Sequence, residues 1–87
     1  LFRSKEGKIA AAKALGASDD QSSVDLLLRF VDDADDDVVF AACESLRKVG
    51  SEHDTADLLA RMQKIPEDRQ AIRDEIGKTV QELHHRP

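Results

Sequence analysis

Asp33, Asp35 and Asp37 alternate along the chain, and Glu44 stands twelfth counting from Asp33. Those are positions 1, 3, 5 and 12 of the oxygen-ligand loop by which an EF-hand takes calcium. Position six of such a loop needs glycine for its sharp turn, and Val38 occupies it here. The preferred reading is therefore an acidic turn that caps a helix, with a calcium sensor as the lesser alternative. His84 and His85 are adjacent, and neighbours on a helix point about 100° apart, so they read as a polar tail rather than a metal pair. Cys43 lies among Ala41, Ala42 and Leu46 with no histidine near it in sequence, the setting of an inert, shielded thiol. No glycine-rich phosphate loop and no Ser/His/Asp order is visible. The expectation is a chain that is not an enzyme and has no cofactor or metal site.

The elements that position these residues nearly repeat at a spacing of 31 residues. Ala10, Ala11, Leu15, Leu27 and Leu28 recur as Ala41, Ala42, Leu46, Leu58 and Leu59, and Cys43 is the counterpart of Ala12. Self-similarity at such a period marks a solenoid, whose units bury their apolar faces by stacking on one another. The spacing predicts a first repeat over about 4–34, a second over about 35–65 and a capping helix over about 67–85. Five helices follow: about Ser4–Gly16, with Gly16 as its stop; Gln21–Val31; Asp36–Gly50, capped by Asp35; Glu52–Lys64; and Glu67–His84. Val24, Leu27, Leu28 and Val31 form one buried stripe in the second, and Ile72, Ile76, Val80 and Leu83 one in the last. The predicted fold class is all-α, an α–α superhelix of two and a half repeats. A structure with the first and third helices in opposite layers would contradict it.

Composition agrees. The 87 residues are 36% charged, hold four glycines and two prolines, and lack Trp and Tyr, which favours helix over sheet. A chain this short buries roughly 60–65% of its unfolded surface, near the lower limit for independent stability. The net charge of −5 is uneven: residues 1–16 carry +3, residues 17–60 carry −9 and residues 61–87 carry +1. An acidic belt suits neither phosphate backbones nor nucleic acid generally. No apolar run is long enough to span a membrane. One cysteine excludes an internal disulfide and fits a cytoplasmic location. The chain starts at Leu1 rather than Met, as a fragment or processed product would, so membership of a longer chain or complex is expected.

The paired Leu27-Leu28, the turn Asp32–Asp37, Val38-Val39, the paired Ala41-Ala42 followed by Leu46, and the closing Gly50 resemble the short HEAT-like repeat of phycobilin lyase subunits. The resemblance covers about residues 8–65, with the fifth helix as a degenerate third unit. Val39 stands where that family usually has Arg, and Gly7-Lys8 replaces Val-Arg in the first repeat, leaving Lys8 to act as a point charge on the acidic turn. The resemblance implies that the even-numbered helices line a concave, partner-binding face. The function expected is a protein-interaction scaffold, the alternative being part of a chromophore lyase or modifying factor. Candidate contacts are Asp25, Arg29, Asp57 and Arg61, with Arg29 and Arg61 taken as equivalent points. Leu26 and Phe30 are candidate apolar anchors, though packing is the better reading of both. Asp35, Asp36 and Asp37 would steer a partner carrying a basic or amphipathic segment.

Overall fold

A computed structural model describes residues 3–86. Its helices are α1 (Lys5–Leu15), α2 (Gln21–Phe30), α3 (Asp36–Val49), α4 (Thr55–Gln63) and α5 (Gln70–His84), with a short 3-10 turn at Glu52–Asp54 ahead of α4. Among the described residues there is no strand. Local chemistry sets most of the ends. The Gly7 N–H donates to Ser4 Oγ at 3.0 Å to open α1, and the Asp37 N–H donates to Asp35 Oδ1 at 2.9 Å to open α3. Asp36 and Asp37 fill the first turn of α3, and Arg47 and Lys48 the last, in accord with the helix dipole.

Two helices start three residues later than the periodicity predicts. Before α4, the Asp54 carboxylate accepts from the Ser51 N–H at 3.0 Å, tightening Glu52–Asp54 into a 3-10 turn and deferring the α-helix to Thr55. Before α5, Pro66 opens a turn in which the Arg69 N–H donates to its carbonyl at 3.0 Å, so that the helix begins at Gln70 rather than Glu67. Gly16 ends α1 for a different reason than a left-handed cap. Its φ is −67°, open to any residue, but a Cβ there would lie 2.6 Å from Ser45 Oγ on α3.

The odd helices form one row, α1 against α3 and α3 against α5. On the other side α2 packs against α1 and α3, and α4 packs against α5. The result is a slab of 33 × 32 × 15 Å, about two helices thick. Leu27, Val31, Val38, Val39, Cys43, Leu46, Leu58, Ile72, Ile76 and Leu83 are fully buried between the layers. Val39, in the place of the family's Arg, thus spends its position on the core. No helix among the described residues is long and apolar enough to cross a membrane.

Candidate functional site

The acidic turn between α2 and α3 touches every repeat. From α1, Lys8 Nζ lies 2.6 Å from Asp33 Oδ2, and Lys5 Nζ lies 2.6 Å from Asp37 and 3.6 Å from Asp35. From α4, the Arg61 guanidinium is bonded to both Asp32 and Asp57. Ahead of α5, Arg69 reaches back to Asp36 Oδ1 at 2.7 Å and to the Asp33 carbonyl at 3.4 Å. Lys8 therefore takes the point-charge role, while past Val39 the cation comes from the following turn instead.

These pairings set the local electrostatics. Burial pushes the Asp33 carboxyl up, but the Lys8 ammonium, the Asp35 N–H and Arg69 outweigh it and hold the group below its ordinary value. Lys5 is raised by its hydrogen bond to Asp37 and by the charge of Asp35. Asp33, Asp35 and Asp37 are already engaged with lysines and backbone N–H groups, and Glu44 sits on α3. Among the described residues no three His, Cys, Asp or Glu side chains gather as a metal site, and no cavity opens. Cys43 is fully buried, and burial pushes its thiol up to about 11 against a smaller pull from the Thr79 hydroxyl.

The other candidate residues divide. Asp25 is exposed and accepts from Gln21 Nε2 at 3.0 Å, and Arg29 is exposed with no partner among the described residues. Leu26 is half-buried, and Phe30, at 7% exposure, belongs to the core, so it offers no free anchor. Arg29 and Arg61 are not equivalent. One repeat step before Asp57 and Arg61 come Leu26 and Phe30, so the same flank is ionic on α4 and apolar on α2. Sequence reasoning missed Lys5, Arg69, Arg47 and Arg73 as structural groups. The available signal was a cation about one repeat from the acidic turn on either side, as Lys5 and Arg69 are.

Two rows of helices are thus joined by a turn that bonds to units on both sides. A model of HEAT repeats matches residues 3–77. The chain belongs to the HEAT repeat family. HEAT repeats are generally helical protein-interaction modules. Neither a curated protein nor a solved structure gives a match.

Proposed function

We propose that this HEAT repeat chain is a cytoplasmic protein-interaction scaffold whose α2 and α4 surface binds a protein partner through a basic or amphipathic segment. The observation that supports it is how the charges are used. On the turn they are taken up between repeats, whereas on α2 Arg29 stands open and Asp25 has only a neutral amide partner. Exposed groups of this kind serve the rim of an interface, where they set orientation and encounter rate more than affinity. Asp57 and Arg61 continue the surface on α4, but as a closed pair that presents a polar contour rather than a free charge. Leu26 contributes the carbon still accessible beside them. Asp35, Asp36 and Asp37 lie at the edge of this face, and their outer oxygens remain wet enough to attract a cationic segment at long range.

The test is site-specific photocrosslinking with the intact parent protein and its bound partner. A photoreactive residue at position 25 or 29 is expected to trap the partner, and one at Ala10 on α1 is not. Equal trapping at all three positions overturns the assignment of the surface.

A further inference from the structure

The 31-residue period divides the chain near Asp35 and Pro66, but the packing divides it elsewhere. Among the described residues α4 lies along α5 and the 3-10 turn before it, and its backbone does not approach α3 as that of α2 approaches α1. Both ends of the α4–α5 pair are tied. Arg73, near the start of α5, donates to the carbonyls of Met62 at 3.1 Å and Ile65 at 2.9 Å at the end of α4, while His84 Nδ1, at the end of α5, lies 3.5 Å from Glu52 just ahead of α4. The boundary at Asp35 is closed from the other side: Lys8 holds Asp33, Lys5 holds Asp37, and the Asp35 N–H donates to Asp33 Oδ1 at 2.9 Å. Two bodies result, residues 3–49 with α1, α2 and α3, and residues 51–86 with α4 and α5. The seam falls inside the second repeat, not between repeats.

We propose that the α4–α5 pair swings as one body about Gly50 and Ser51, with Arg61 and Arg69 as the latches that hold it shut. Gly50 and Ser51 are both extended, at φ/ψ of −76°/173° and −141°/175°, and a few such residues at the end of an element can absorb a rotation. Among the described residues no backbone hydrogen bond passes from one body to the other. Three arginines do cross: Arg61 to Asp32, Arg69 to Asp36 and Arg47 to Glu75. The remaining contact of α3 with α5 is largely apolar and so non-directional, which leaves the angle between the bodies to these charges. Gly50 serves the closed state by its size, since a Cβ there would lie 3.0 Å from Leu83 Cδ1. Opening lifts the Thr79 hydroxyl from the Cys43 thiol and bares that flank of α3. α2 and α4 fall on different bodies, so the span of the partner surface proposed above follows the hinge, while the hinge itself does not rest on that reading.

Arg61→Gln combined with Arg69→Gln tests the latches on the whole chain, because the bonds of both arginines lie away from Cys43. A thiol reagent at pH 8 is expected to modify native Cys43 about fivefold faster in this variant, with helix content by circular dichroism unchanged. Spin-label distances locate the seam, in a Cys43→Ala chain with cysteines introduced in pairs at the exposed positions Ser22, Glu44, Ala56 and Gln81. Between 22 and 81, across the seam, the distance distribution should widen when the latches are removed. Between 22 and 44, within the first body, and between 56 and 81, within the second, it should not. Widening between 56 and 81 would mean that α5 leaves alone at Pro66, and widening between 22 and 44 that the chain opens at Asp35. Either result overturns the proposal. So does a loss of helix content, an unchanged Cys43 rate, or an unchanged distribution between 22 and 81. The photocrosslinking result at positions 25 and 29 stands or falls separately from all of these.

Discussion

The two junctions between successive odd helices are built from opposite materials. At α1–α3 the contact is made by small groups: Ala12 is fully buried, and the Ser45 hydroxyl donates to the Ala12 carbonyl at 2.6 Å. At α3–α5 a long side chain spans the gap, with Arg47 Nη1 2.7 Å from Glu75 Oε2 and 3.0 Å from Thr79 Oγ1, and Nε 3.5 Å from Glu82. One topological step is thus taken by steric fit and again by charge. The first junction should fail when volume is added, and the second when charge is changed.

The largest effect is expected at the charged junction. Arg47 and Glu75 are mostly shielded from water, so Arg47→Glu sets three carboxylates against one another and should cost about 2–3 kcal/mol in urea unfolding. Arg47→Met keeps the carbon stem and should cost about half as much. Equal losses for the two variants would mean that reversing the charge adds nothing to removing it, and the contrast between the junctions would collapse.

At the steric junction the sharper experiment is a double-mutant cycle. Gly16→Ala places a Cβ against Ser45 Oγ and should cost about 1–2 kcal/mol, while Ser45→Ala should cost about 1 kcal/mol for the lost hydrogen bond. Because the second change removes the atom that the first collides with, the double variant should be less destabilised than the sum, by about 0.5–1 kcal/mol. Strict additivity would show that α1 and α3 have room to separate.

That difference between junctions also marks what the sequence made legible. The register of 31 residues pointed to Leu27 and Leu58 in the core and to Cys43 as the counterpart of Ala12, because small and branched groups at a fixed period can serve only packing. Asp35 as the cap of α3 was equally readable, since capping is a local matter of one side chain and the N–H two residues on. The ties of Arg47 to α5 were not. They join residues 28 and 32 positions apart through a helix that departs from the repeat pattern, and a long flexible cation leaves no periodic trace. The candidate surface was less legible: Phe30 falls outside the stripe of Val24, Leu27, Leu28 and Val31 and so stood as a candidate anchor beside the preferred packing reading, and it is buried.

Cys43 lies on the α3 flank that meets α5, and its thiol should report on the charged junction. With its value raised from 9.0 to about 11 by burial, the fold favours the protonated thiol. That contribution is complete below pH 9.0 and is lost as pH rises from there towards 11. A thiol reagent at pH 8 should modify the native chain far more slowly than the denatured one. Arg47→Glu should accelerate it more than Gly16→Ala, since only the former loosens the helix pair over the thiol. The reverse order would place the easier opening at α1–α3.

The smallest effect expected lies in the turn that both junctions share, and it separates shielded from exposed charge. Asp33 and Lys8 form a partly buried pair, whereas Lys5 meets Asp35 and Asp37 in open solvent. Since its carboxyl is held below the ordinary value of 3.8, Asp33 stabilises the fold fully above that pH. The contribution disappears as pH falls through the lower, folded value, where both states bind the proton. Asp33→Asn should therefore lower Tm at pH 7 by roughly 2–6 °C, the equivalent of about 0.5–1 kcal/mol, and the gap from the parent chain should close on acidification. Lys5→Met should leave Tm unchanged at either pH, because a fully solvated pair is screened by water and salt. If Lys5→Met lowers Tm as much as Asp33→Asn, the turn acts as one cooperative network, and α1 is held to α3 by charge as α3 is to α5.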